Sequence, residues 1–259
     1  MGKYILKRIA LAIVTIWAVA TITFFLMNLV PGGPFLSEKA ISPAATKALE
    51  AKYGLDKPMA ERYFTYISDA AHGDFGDSLK QRGRTVMDII ATKFPVSARL
   101  GGMAVVLALC VGVPLGVLAA YKRGTFIDSL FSVIATCGIA VPGFVICTLL
   151  LYVFGVKLQW LPTLGLKSAQ SYIMPVVALA AYPTSYIMRL MRSSMLDVLG
   201  QDYMRTAKAK GLSQKVSLFK HALRNAILPV ITYVGPMLAY TLTGSFVTEK
   251  IFTIPGLGG

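Results

Sequence analysis

This chain of 259 residues is short of charge. Only 15% of its residues are Asp, Glu, Lys or Arg, against about 25% in a typical soluble domain. Hydrophobic residues make up 55% and the mean hydropathy is +0.63. A polytopic membrane protein is therefore the default, and a length-based count of soluble domains does not apply. Cysteine is scarce, and Cys110, Cys137 and Cys147 all fall inside apolar runs. That argues against a disulfide framework. The two histidines, His72 and His221, are far apart in sequence, so no Cys/His spacing suggests a metal site. No G-x-x-x-x-G-K-[ST] stretch occurs, so the chain lacks the loop that would cradle the phosphates of ATP. The long apolar runs have no charged residue in their interior. This argues against a proton- or ion-coupled pump, whose pathway such residues mark. Acidic residues are few, 12 against 26 basic ones, for a net charge of +14. The apolar runs, and the places where the charge sits, argue against a nucleic-acid partner.

What is present is a series of apolar runs. After Lys3, Lys7 and Arg8 comes Ile9 to Val30 without a charge. At 1.5 Å per residue that crosses about 30 Å of hydrocarbon. It is longer than the apolar core of a signal peptide, so it reads as a retained first span. Leu100 to Tyr121 is the second, with Gly101, Gly112 and Gly116 placed for close helix packing. Ser129 to Val156 is the third, and Pro142-Gly143 in its middle predicts a kink or break. Trp160 with Pro162 suits an interfacial anchor and turn. Ser168 to Met188 is the fourth, interrupted by Pro175 and Pro183 and closed by Arg189 and Arg192. Ala226 to Thr248 is the fifth, with breaks expected at Pro229, Gly235 and Pro236. Glu249 and Lys250 then follow as flanking charges.

The one long polar region runs from Pro31 to Pro95. Ser42-Pro43 signals a helix start and Gly54 an end. A second helix starts at Pro58, with Met59, Tyr63, Tyr66, Ile67 and Ala70 on one face. Thr85 with Asp88 marks a third. The turn-rich stretch His72 to Ser78 joins the last two. Basic and acidic residues nearly cancel here. A near-neutral loop of this length suits the outer side, either capping the membrane domain or meeting a binding protein. The other charge is asymmetric. Lys3, Lys7, Arg8, Lys122, Arg123 and the cluster over 189–226 meet few acids, namely Asp128, Asp197 and Asp202. By the positive-inside rule these segments face the cytoplasm, which puts the N-terminus inside.

The most informative stretch is Tyr203 to Pro229, YMRTAKAKGLSQKVSLFKHALRNAILP. Residues 203–210 read as a short helix. Gly211 suits the left-handed position just past a helix end, and Ser213 an N-cap for a second helix toward Leu223. A basic loop attracted to anionic lipid is one explanation. Orientation alone does not require a helix, a sharp turn and another helix.

The segment resembles the EAA loop of ABC importer permeases, in the version of the oligopeptide, dipeptide and nickel branch. Those proteins show RTA-x-AKG, then HAL, then LP. This chain has Arg205-Thr206-Ala207, Ala209-Lys210-Gly211, His221-Ala222-Leu223 and Leu228-Pro229. It departs from the general pattern in carrying Arg-Thr-Ala for Glu-Ala-Ala, and in its Gly-to-Pro spacing; the branch shares both departures. The basic start, the apolar helix and the PG-x-P turn after it fit as well. The resemblance implies an all-α membrane protein, the transmembrane domain of a type I ABC importer. Residues 1–30 would form the first span, 31–97 an extracytoplasmic helical region, and 98–259 the permease core with its cytoplasmic loop at 192–226. Five spans are visible. The resemblance leads us to expect a sixth beyond Gly259.

The implied function is a permease subunit of an ATP-driven, binding-protein-dependent importer in the cytoplasmic membrane. Its cargo would be di- or oligopeptides, with nickel, heme or glycosides as alternatives in the branch. The chain itself would catalyse nothing and carry no cofactor. ATP and Mg would be bound by two cytoplasmic ATPase subunits. A second homologous permease and an external solute-binding protein complete the partners. Arg205, Thr206, Ala207, Lys208, Ala209, Lys210, Gly211, His221 and Pro229 would couple the spans to the ATPases, with the small residues offering a face for close docking. An ATP-independent transporter or channel would call for an inverted repeat or buried acids. A lipid-associated scaffold would use the basic loop alone.

Overall fold

A computed structural model describes residues 1–29, 54–78, 81, 83–213 and 216–259, apart from the side chain of Lys208. The helix expected after Ser42-Pro43 lies outside these residues. The chain divides into two compact units, Met1–Ile90 and Ala91–Gly259.

In the first unit, α1 (Gly2–Leu29) carries no charge after Arg8 and none of its residues is buried. That suits a helix whose solvent is lipid. Helix α2 (Met59–Ala71) starts after Pro58 as its sequence predicts. Its predicted face is the one that meets α1. Tyr66 stacks on Phe24, Tyr63 stacks on Phe25, and the Tyr63 hydroxyl pairs with Thr21 Oγ1 at 2.8 Å.

Helix α3 (Val86–Tyr121) begins with the expected cap. The Asp88 amide donates to Thr85 Oγ1 and the Thr85 amide to Asp88 Oδ2, at 3.1 and 3.3 Å. Unlike the sequence reading, it does not stop at Pro95 to restart as a span. It runs 36 residues through both Pro95 and Pro114. Each proline costs one backbone hydrogen bond, and the apolar packing of the second half outweighs that loss.

The rest of the second unit is helical. It comprises α4 (Phe126–Ala140), α5 (Gly143–Leu150, continuing as a π-helix over Leu151–Lys157) and a 3₁₀ turn (Ala169–Tyr172). Then come α6 (Ile173–Leu199), α7 (Asp202–Ala209) and a π turn (Ser217–Ala222). The last are α8 (Leu223–Ala226), α9 (Leu228–Leu242) and α10 (Phe246–Ile251). Among the described residues, four helical stretches are long and apolar enough to cross a membrane, and the bent pair α4/α5 makes up to a fifth.

The break expected at Pro142 is a turn of 102°. Proline disfavours the helical region for the residue before it, and here Val141 sits at φ −76°, ψ 123°. Two other expected boundaries move. Helix α6 does not close at Arg189 and Arg192 but carries both inside it and runs on to Leu199. In α9, Pro229 serves as a helix start and Pro236 lies inside; the break falls instead at Gly244, φ +91°.

Helix α6 is the hub of this unit, touching α4, α5, α9 and α10. Two apolar cores form along it. One gathers Ile187, Met191 and Met195 of α6 with Val117, Met204, Leu218 and Val230. The other gathers Leu100, Cys147, Met174, Val176, Phe252 and Ile254. Glycines let the backbones come this close. A Cβ on Gly112 would lie 2.9 Å from the Thr184 carbonyl oxygen, and one on Gly101 would collide with that of Thr241.

Candidate functional site

The predicted coupling residues fold as a short amphipathic helix held on one side. Two residues separate the end of α6 at Leu199 from the start of α7 at Asp202, so the two are joined almost directly. Met204 and Ala207, three apart and so on one face, are 1% and 7% exposed and dock α7 on its own chain. Arg205, Thr206, Ala209 and Lys210 are exposed. The Arg205–Asp202 pair, 3.5 Å apart with both side chains in the open, contributes little. The end of α7 closes as expected. Gly211 is at φ +74°, and the Leu212 amide donates to the Ala207 carbonyl at 3.3 Å. This is the Schellman closure that glycine favours. Ser213 then caps the return, accepting from the Val216 amide at 3.4 Å.

One detail differs from the sequence reading. Ala207 does not belong to the face open for docking but is turned into the chain's own core. His221 is half-buried in the π turn and Pro229 lies in the first turn of α9, both on the return path from α7. Asn225 Nδ2 donates to the Tyr203 hydroxyl at 2.9 Å, tying that return path to α7.

Sequence reasoning missed the ion pair behind this segment. Asp128, in the first turn of α4, accepts from Arg192 Nε at 2.6 Å and from its second nitrogen at 2.9 Å. It also accepts from the Gly124 amide at 3.0 Å. The Asp128 side chain is 7% exposed and that of Arg192 31%. Lying 64 positions apart, the two gave no local signal; they had been counted as separate charges.

A cavity of about 670 Å³ opens where the helices break. Pro142 at the α4/α5 bend, Pro183 of α6 and Pro236 of α9 line it, with Tyr182, Tyr233 and Tyr240. The Tyr186 and Tyr233 rings lie 4.4 Å apart, and Tyr186 stacks on Tyr182 at 6.3 Å. Among the described residues, no charged side chain lines this cavity. It offers aromatic faces, hydroxyls and apolar surface, which suits passage or weak binding of an uncharged backbone. Irregular backbone at membrane depth is tolerated where it lines such a cavity. The proline spacing was legible in the sequence; its convergence was not.

Membrane-length helices around an uncharged cavity, with an amphipathic helix fastened to the end of the hub helix, define the transmembrane subunit of a transporter. The fold is that of type I ABC importer membrane domains. It aligns with the methionine ABC transporter MetNI in its inward-facing conformations at TM-score 0.52 and 18% identity, over 67% of this chain and 77% of that one. Residues 112–259 match the binding-protein-dependent transport system inner membrane component, and residues 1–101 match its N-terminal component. The chain belongs to this family and is a multi-pass membrane permease. It is 44% identical to the oligopeptide transport system permease OppB of Salmonella typhimurium, over 100% of this chain and 85% of that one. It is 46% identical to the dipeptide transport system permease DppB of Bacillus subtilis, over 100% and 84%.

Proposed function

We propose that this chain forms part of the path for di- and oligopeptides through an ATP-driven importer, and that α7 is the joint on which ATPase subunits act. The observation that carries this reading is the construction of α7. One face is docked on the chain's own core, the other is open, and the helix is joined almost directly to the hub helix lining the cavity. A push on its open face therefore reaches α6 without passing through a flexible loop. Arg205, Thr206, Ala209 and Lys210 are the contact residues, and Gly211 ends the lever. ATP and Mg belong to two partner ATPases. A second homologous permease completes the path, and an external binding protein delivers cargo. The peptide assignment is supported by the relatives' names and by a cavity of aromatic faces and hydroxyls, which tolerate varied side chains along a constant backbone. Nickel, heme and glycoside uptake are the competing outcomes of the test.

The test is reconstitution with the partners and measurement of labelled tripeptide uptake with and without ATP. Uptake that survives without ATP overturns the reading. Gly211→Val is the sharpest variant. A side chain at φ +74° costs roughly 1 kcal/mol or more, and a β-branched one more still. The added atoms meet nothing within 4 Å, so the effect is confined to the backbone of the α7 end. The permease should insert normally and lose most ATP-coupled uptake. If the loop served lipid binding alone, Gly211→Val would be silent and Lys208→Ala with Lys210→Ala would do the damage. Ala207→Glu is a poorer probe, because it drives a charge into the chain's own packing.

The orientation follows from the charge asymmetry: N-terminus and residues 192–226 inside, residues 31–97 outside. Single cysteines at Ser78 and Ser213, in a background without native cysteine, should label from outside at 78 and not at 213. The reverse pattern overturns the topology.

A further inference from the structure

Glu249 reads in the sequence as a charge trailing the last span. In the structure it is 0% exposed. Ser97 Oγ of α3 donates to its Oε1 at 2.7 Å, and the Gly258 amide donates to its Oε2 at 2.7 Å. The same Ser97 Oγ accepts from the Leu257 amide at 2.9 Å, and Ser97 is itself 1% exposed. The Glu249 carbonyl accepts from the Ile254 amide at 2.8 Å. Glycines enclose the carboxylate. A Cβ on Gly244 would lie 2.8 Å from Oε1, and one on Gly256 would strike both Oε2 and Ser97 Oγ. Gly258 packs against the Phe246 backbone. One carboxylate and one hydroxyl thus fasten α10, the turn at 254–258 and α3 together.

What this fastening holds is a wall of the cavity. Ser245, Val247 and Thr248, in and just before α10, line it. Ser245 also caps α10, accepting from the Thr248 amide at 3.3 Å. Two other contacts reach this segment: the Cys147 thiol lies 3.7 Å from Thr248 Oγ1, and the Gly165 amide donates to the Phe252 carbonyl, just past α10, at 2.8 Å. A helix of six residues has little stability of its own. Its position rests on what surrounds it. A buried carboxylate is a costly filler, and an apolar side chain of similar size would be cheaper. Its value lies in accepting from two donors on different elements at once.

We propose that Glu249, with Ser97, is a positioning residue for transport. It sets the place of α10 as a wall of the peptide path and thereby keeps cargo movement coupled to ATP hydrolysis. This rests on the transport reading above. Glu249→Gln keeps the size but has one accepting oxygen where the carboxylate has two, so it can accept from the Gly258 amide or from the Ser97 hydroxyl and not from both. Ser97→Ala removes both the bond to Oε1 and the acceptor for Leu257.

The experiment uses the assembled importer in nanodiscs, at matched permease levels. It reads hydrogen exchange of the α10 amides, ATP hydrolysis and peptide uptake. In both variants α10 exchange should rise about tenfold or more, the population shift expected for losing one charge-assisted hydrogen bond. ATP hydrolysis should persist while peptide moved per ATP falls several-fold. A merely structural role would lower the amount of permease and leave peptide per ATP unchanged. Unchanged α10 exchange, or raised exchange with peptide per ATP unaltered, overturns the proposal. If Glu249→Gln does not assemble, Ser97→Ala decides by the same readouts. If wild type shows no ATP-dependent peptide uptake, the transport reading fails. The exchange of α10 still reports whether Glu249 holds it.

Discussion

Gly116→Leu should abolish the assembled permease: little protein in the membrane, and no uptake. A Cβ at residue 116 would lie 2.6 Å from the Met188 carbonyl oxygen and 2.6 Å from Met191 Cβ. Both belong to α6, and Met191 is fully buried in the core it shares with α3. Overpacking typically costs about 1–3 kcal/mol when side chains can shift aside. Here one obstacle is backbone in the middle of a long helix, so relief requires moving α6 away from α3. That separation would also open the contact at Gly112, one turn earlier, where a Cβ would lie 2.9 Å from Ile187 and from the Thr184 carbonyl oxygen. Close approach of backbones across small residues is the main attraction between membrane helices, since lipid is as apolar as the side chains. Gly102→Ala is the control. Its Cβ would meet nothing within 4 Å, and helix propensity favours alanine by roughly 1 kcal/mol. Membrane levels and thermal unfolding in detergent should therefore fall sharply for the first variant and hold or rise for the second. Equal behaviour of the two would show that the α3/α6 contact is not tight.

Arg192→Ala should cost more than Asp128→Asn, and the double variant should recover part of the loss. Removing the guanidinium leaves a carboxylate that is 7% exposed, with the Gly124 amide as its remaining donor among the described residues. Breaking a fully buried pair costs about 3–5 kcal/mol. Arg192 is 31% exposed, so water relieves part of this, and about 2–3 kcal/mol is the reasonable scale. Asp128→Asn removes the charge as well as the second acceptor, and leaves an arginine that can reach water. Changing both to neutral residues leaves no uncompensated charge. A double-mutant cycle on thermal stability, with Asp128→Asn and Arg192→Ala, isolates the coupling between them. A coupling near zero would mean the pair is only a surface contact. Transport should fall with stability, because Arg192 lies two turns before the end of α6, where α7 begins.

The sequence by itself determined everything that depends on neighbours along the chain. Apolar runs of sufficient length gave the spans. Pro142 gave the sharp bend through its effect on Val141. The Thr85/Asp88 pair gave the start of α3, and Gly211 gave the closure of α7, because a cap or a positive φ is set within a turn of backbone. The residues Arg205 to Gly211 were legible as a helix and a stop for the same reason. Element ends were less legible. Pro95 and the arginines at 189 and 192 read as boundaries, yet α3 and α6 run through them. Packing along a long apolar helix outweighs one missing hydrogen bond or a charge that finds a partner.

Only the tertiary structure decided which face of α7 is open. Ala207 reads as a docking residue until Met204 beside it is seen to anchor the helix inward. Tertiary structure alone also paired Asp128 with Arg192, brought three prolines and three tyrosines around one cavity, and turned Glu249 from a flanking charge into a buried fastening. Each of these joins residues scores of positions apart. Their energy comes from desolvation and from hydrogen-bond geometry in three dimensions, to which spacing along the chain is blind.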